Sequence, residues 1–267
     1  MSSEQWALSF QRSGFRNSVI LKILDSNLNS LNHLNLQPST FNFQPLFQPS
    51  TLSFLKNLKK NNNKPWFDQN REKYVSAKND FEFFVNDLLQ KITVFDPDMK
   101  ELAPKNCLFR INRDIRFSKD KTPYKINISA SFNKGGKKSI NAGYYFHLQP
   151  GGNSFAGGGI WMPAAPELKK LRQEIDYCFP EFKKIINATA FKNFYGALEK
   201  DKDQMLVNVP KGYEKENPAA EYLKLKSFIA TKNIPDTALL LPDLSNEIAK
   251  VFKALMPLVK FINRSFE

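Results

Sequence analysis

The chain reads as an α+β protein, with a central antiparallel sheet of hairpins flanked by N- and C-terminal helices. Three observations predict this. Eight of the eleven glycines fall between Gly135 and Gly159, where they punctuate runs of strand length. The segments on either side carry apolar residues at helical rather than alternating spacing. Prolines and asparagines mark the joints between these segments.

Taken in order, Ser50 or Thr51 is placed to cap a short helix through Leu52, Leu55 and Leu58, which Asn61, Asn62 and Asn63 end. Pro65 then opens one long helix. Its stripe is Phe67, Tyr74, Phe81, Phe84, Val85, Leu88 and Leu89, and it stops near Asp96 and Pro97. Strands are expected over 107–117, 125–133, 141–149 and 154–162, with Gly135-Gly136 and Gly151-Gly152 as hairpin connections. Helices resume after Pro166, which suits a first helical turn, with Leu168, Leu171, Ile175 and Cys178 as the stripe. A helix over 181–187, a strand over 205–209, a helix over 219–225 and a strand over 227–230 follow. The last helix runs from Asn246 with Ile248, Val251, Phe252, Leu255, Val259 and Ile262 inward, and with a break or kink at Pro257.

Residues 1–47 are rich in Ser, Asn, Gln and Leu, poor in charge and without a sustained period. They read as a poorly ordered tail before a single α+β domain over 48–267.

The formal net charge of +13 points to acidic partners, to a solvated basic surface, or to both. Cys107 and Cys178 are the only cysteines, and His33 and His147 the only histidines. That pattern argues against a disulfide framework and a structural metal site, and no cofactor motif is present. No apolar run reaches the ~18 residues that span a bilayer, so no membrane contact is expected and the cytoplasm is the default compartment.

The most informative stretch is 109–125. It sets Arg110, Arg113, Arg116, Lys119, Lys121 and Lys125 against Asp114 and Asp120 alone. As an extended strand it puts Arg110, Asn112, Asp114 and Arg116 on one face, and Arg113 among Ile111, Ile115 and Phe117 on the other. A guanidinium among apolar neighbours must be paired. Its partner is Asp114, Asp120, a distant carboxylate or a ligand.

The string Arg-Ile-Asn-Arg-Asp-Ile-Arg-Phe-Ser-Lys-Asp-Lys-Thr-Pro-Tyr-Lys over 110–125 resembles a known family. So do Asn61 to Phe67 with Asn70, Arg71 and Tyr74, then Gly143 to His147, Gly157 to Trp161, and Pro210 to Tyr213. Together they look like the bacterial and fungal family known as domain of unknown function 2461, over roughly 49–261. The resemblance implies a fold neighbourhood and no activity.

Within that frame, the candidate ligand-binding residues are Arg110, Arg113, Asp114, Arg116, Lys119, Lys121, Tyr124, Lys125, Asn70, Arg71 and Tyr145. Arginine forks and lysine charges suit phosphate or carboxylate groups, against which stands an internal salt-bridge network. Trp66, Tyr124, Tyr144, Tyr145 and Trp161 are candidate stacking platforms, or core. His147 is the one candidate acid or base, or else a hydrogen-bonded structural residue. The glycines at 157–159 mark a close backbone approach, read as a tight strand crossing or bulge. Three functions stay open: binding of an anionic small molecule or nucleotide, with nucleic acid a less favoured ligand; catalysis on a phosphorylated or nucleotide-like substrate with His147 as acid or base; and a structural or protein-interaction role with an internal salt-bridge network.

Overall fold

The computed structural model describes residues 47–201 and 205–267. The expected tail thus lies outside the described residues except for Phe47, which is wholly buried and stacks in the core against Phe81 and Phe146.

Helices α1 (Pro49–Lys60), α2 (Lys64–Gln69) and α3 (Arg71–Phe95), a 3-10 turn at Pro97–Met99 and the short α4 (Pro104–Cys107) precede the sheet. Strands β1 (Ile128–Asn133), β2 (Gly143–Leu148) and β3 (Ser154–Ile160) form a meander. Helices α5 (Ala165–Tyr177), α6 (Phe179–Asn187), α7 (Thr189–Tyr195) and α8 (Ala220–Leu223) intervene before β4 (Phe228–Ile234), and α9 (Leu244–Arg264) closes the fold. The sheet is antiparallel throughout, in the order β1-β2-β3-β4.

Strand alternation divides its side chains into two sets. Ala130, Phe132, Tyr144, Phe146, Leu148, Ala156, Phe228 and Ala230 are buried. They meet the apolar stripes of α3 and α9, with Phe84 and Phe146 ring centres 4.8 Å apart and Tyr144 and Phe252 5.2 Å apart. The opposite set is Ser129, Ser131 and Asn133, then Gly143, Tyr145 and His147, Phe155, Gly157 and Gly159, and Ile229, Thr231 and Asn233.

Four local expectations are corrected. Residues 107–117 form no strand; they make isolated bridges at Leu108–Ala130 and Asn112–Tyr124, of which only the first reaches the sheet. Asp114 and Asp120 accept from the amides two residues on, those of Arg116 and Thr122, and such local turns compete with a ladder. Phe117, expected on an apolar face, is 96% exposed. The long helix is in fact two. Asn63 caps α2 through the Trp66 amide, and the chain breaks at Asn70, whose side-chain amide donates to the Trp66 carbonyl at 2.9 Å. Neither Ser50 nor Thr51 is an N-cap: α1 starts at Pro49, and the Thr51 hydroxyl donates to Asp80 instead. The strand over 205–209 reduces to one bridge, Met205–Leu225.

Helix α9 continues past Pro257, which sits on an exposed position where water can take up the carbonyl its ring leaves without a donor. The glycine turns are as expected. Gly135 and Gly136 have φ of 83° and 88° in the β1–β2 connection. The Gly151 and Gly152 amides donate to the Asp236 carboxylate just beyond β4. No described helix is long and apolar enough to cross a membrane.

Candidate functional site

The structure divides the predicted site residues into three groups. The first holds the chain together. Tyr124 is buried and stacks on Phe67 at 3.9 Å and 14°, while its backbone amide and carbonyl pair with the Asn62 side chain. Asn70 serves the α2–α3 break and accepts from Lys73; Arg71 pairs with Asp68 at 2.6 Å and covers the Phe67 ring. Trp66 packs near Phe54, and Tyr144 lies in the core with its hydroxyl on Asp96.

The second group neutralises itself in the 110–122 loop. Arg113 is bound to Asp120 at 2.5 Å, to the carbonyl and hydroxyl oxygens of Thr122, and to the Ser118 hydroxyl at 3.3 Å. Its partner is therefore local, and its neighbours are polar rather than apolar. Arg116 forks onto Asp114, holding that exposed carboxyl below its ordinary range. Lys121 donates to the Ile115 carbonyl at 3.0 Å, and Lys119 is exposed.

The third group faces the open side of the sheet. A cleft of about 830 Å³ lies there, floored by Ser131, Asn133, Tyr145, Gly143, Gly159 and Thr231. Phe109 and the β1–β2 connection wall one side, and Trp161, Met162 and Glu167 another. Glycines at 143 and 159 leave part of the floor without side chains, and Gly157 lies next to them on β3. They mark a close approach of strands, since a Cβ on Gly157 or Gly159 would run into the β4 carbonyls of Ala230 or Phe228. One Glu167 carboxylate oxygen is shut from solvent with no hydrogen-bond partner, and Glu199 accepts from the Thr231 hydroxyl at 2.5 Å.

Phe109 connects this cleft to the basic segment. Its amide donates to the Ser129 carbonyl, and its ring lies edge-on to Tyr145 at 6.2 Å. The Lys125 ammonium sits 5.3 Å above that ring. Burial and the nearby Arg110 guanidinium push Lys125 below its ordinary value. Neither Arg110 nor Lys125 forms an ion pair among the described residues. His147 lies beside Tyr145, its ring stacked on Phe155 at 4.7 Å. Burial, and then the Lys125 charge, lower its pKa from 6.5 against the raising effect of Gln149.

A pH dependence follows. His147 is neutral in the folded protein under conditions that protonate it when unfolded, so the unfolded state binds the extra proton. Stability is expected to fall as pH drops below 6.5 toward the lower folded value. Urea titrations between pH 7.5 and 5.5 should show this slope flattened in His147→Gln. An unchanged slope would mean that other groups set it.

The family comparison covers this arrangement. A family described as a conserved hypothetical protein, DUF2461, matches residues 50–261. The chain belongs to it. No curated protein and no solved structure matches the chain. The DUF2461 span takes in every residue of the cleft, and so the candidate site is part of the family domain rather than an appendage to it. Asn133, Glu167, Glu199, Phe109 and Phe155 were not among the residues expected from the sequence. Their signal was present in part: Ser129, Ser131 and Asn133 alternate with Ile128, Ala130 and Phe132, as a strand with one uncovered polar face must.

Proposed function

We propose that this DUF2461 chain binds a small molecule bearing a phosphate or carboxylate group. The anionic end sits at Arg110 and Lys125, and the body lies over Phe109, Tyr145 and Phe155 in the cleft. The observation that carries this reading is the cationic corner itself. A half-buried ammonium beside a guanidinium, with no carboxylate paired to either among the described residues and only the Arg116-bound Asp114 within electrostatic reach of Arg110, is an electrostatic cost that an anion relieves. The loop arginines first in view from the sequence, Arg113 and Arg116, have their own acids.

The rings beside the corner give a planar ligand somewhere to stack, at ~1–3 kcal/mol per base for a nucleobase. A nucleotide therefore fits better than a simple anion. Long nucleic acid fits less well, because Glu167 and Glu199 line the same cleft. A reducing, cytoplasmic setting agrees with two free cysteines.

The test is calorimetry and thermal shift on the full chain with inorganic phosphate, sugar phosphates, nucleoside monophosphates and dicarboxylates. One class should give a saturable stabilisation, about 2.7 kcal/mol at a hundredfold excess over Kd. Arg110→Ala/Lys125→Ala should abolish it, while Arg113→Ala should loosen the loop and leave affinity within about threefold. Undiminished binding by the double variant, or no binding of any panel member, overturns the reading.

A further inference from the structure

We propose that Tyr145 is a catalytic acid–base group of this cleft, and that His147 behind it takes up the phenol proton once an anion occupies the Arg110–Lys125 corner. The proposal deepens the binding reading and rests on it: the ligand becomes a substrate that gives up a proton.

The geometry is set by strand register. Ser129 faces His147 across β1 and β2, and Tyr145 lies two residues before His147 on the same face. Tyr145 lines the cleft, whereas His147 does not. The Tyr145 hydroxyl is 3.3 Å from His147 Nδ1, and Nε2 is 3.1 Å from Gln149 Oε1. An amide oxygen only accepts, so Nε2 carries the hydrogen and Nδ1 is left as acceptor for the phenol. Stacking on Phe155 holds the imidazole plane at 14° to that ring. Burial raises the Tyr145 phenol above its ordinary value, and the buried Ser129 hydroxyl acts in the opposite direction. A phenol set against the acceptor nitrogen of an imidazole is arranged to pass a proton.

In the step itself, an O–H or acidic C–H bond of the substrate breaks and its proton forms a new O–H bond at Tyr145. The former phenol proton moves to His147 Nδ1. The electron pair stays on the substrate atom, and the imidazolium balances the new negative charge. Tyr145 then gives one proton to a different atom of the substrate while His147 returns the other to the phenolic oxygen, which completes an isomerisation without any other reactant.

Without a ligand, His147 resists that proton. Lys125 is the charged group that acts on it, with Arg110 behind Lys125; Tyr145 is its titratable neighbour, and no carboxylate among the described residues pairs with it. An anion at the corner offsets the Lys125 charge, so that substrate binding itself turns the base on.

Two histidines in the chain make the test direct, with His147→Gln assigning the signals. Nitrogen NMR of the full chain at pH 7.5 should show the Nε2–H tautomer. The His147 pKa should rise by about one unit, the low end of a neighbouring charge's effect, with saturating inorganic pyrophosphate and equally in Lys125→Met without it. Tyr145→Phe should shift the Nδ1 resonance. An Nδ1–H tautomer, or a Lys125→Met protein that titrates like the parent, overturns the relay. Pyrophosphate that binds without moving the titration overturns the gating alone. Failure to bind, with a normal rise in Lys125→Met, overturns the anion site and the gating with it.

Discussion

Replacing Lys260 with methionine is expected to cost about 3 kcal/mol of folding stability, the low end for breaking a buried pair from one side. Asp96, just after α3, is wholly buried. One of its oxygens accepts from the Tyr144 hydroxyl of β2 at 2.7 Å, and the other lies 2.6 Å from the Lys260 ammonium of α9. The ammonium is off the line of a good hydrogen bond to that oxygen, so the contact is chiefly charge against charge. Lys260 is 37% exposed and also reaches Asp98 at 2.7 Å, so its own solvation is partly kept. What the substitution leaves behind is a carboxylate in the junction of two helices and the sheet. Asp98→Asn, removing the exposed partner, should cost under about 1 kcal/mol. Asp96→Asn/Lys260→Met should regain most of the loss, because a neutral amide still accepts from Tyr144 and strands no charge. Urea unfolding of the parent, these three variants and Asp96→Asn alone measures each loss and closes the Asp96–Lys260 cycle. A loss below about 1 kcal/mol in Lys260→Met would show that water reaches Asp96.

The second large effect is expected at Gly159. Its φ of 109° is a conformation that side chains rarely adopt, and an added Cβ would overlap the Phe228 carbonyl oxygen across the β3–β4 ladder. Strain and overpacking each cost ~1–3 kcal/mol. Gly159→Ala should therefore lose on the order of 3 kcal/mol and lower Tm by roughly 2–4 °C per kcal/mol for a chain of this size. Gly152→Ala separates the two causes. It has φ of 77° with nothing within 4 Å of the added carbon, so only the left-handed backbone cost of ~1–2 kcal/mol applies. Equal losses in the two variants would mean that the strands part easily to admit the methyl group. Gly159 also floors the cleft, and a backbone shift there should weaken ligand binding along with stability.

Much of the architecture was legible because its signals are local and periodic. The stripe Phe81, Phe84, Val85, Leu88, Leu89 reads as one helix face and is buried as one. The paired glycines at 135 and 151 announce turns, and the turns are there. The failures share a cause as well. Ile111, Ile115 and Phe117 alternate like a strand, yet Asp114 and Asp120 satisfy nearby amides and arginines, and that local bonding outcompetes a ladder whose partner strand lies further along the chain. At Asn70 the chain leaves helical geometry while both the backbone and side-chain amides of that residue donate to the Trp66 carbonyl, a local choice that hydrophobic period does not register.

The site was harder to read than the fold. Sequence counts charges but not their partners: Arg110, Arg113 and Arg116 look alike in a string, and only folding gave two of them acids and left Arg110 beside Lys125. By itself the sequence determined the α+β class, the helix stripes and the glycine turns, since these follow from the spacing of residues along one chain. The tertiary structure decided which sheet face stays open, that Lys125 lies over the Phe109 ring, and that Glu167, Glu199 and Tyr145 line a common cleft. Those relations depend on strand register and on the return of β4 after four helices. They join residues separated by tens of positions, and no local preference encodes such a distance.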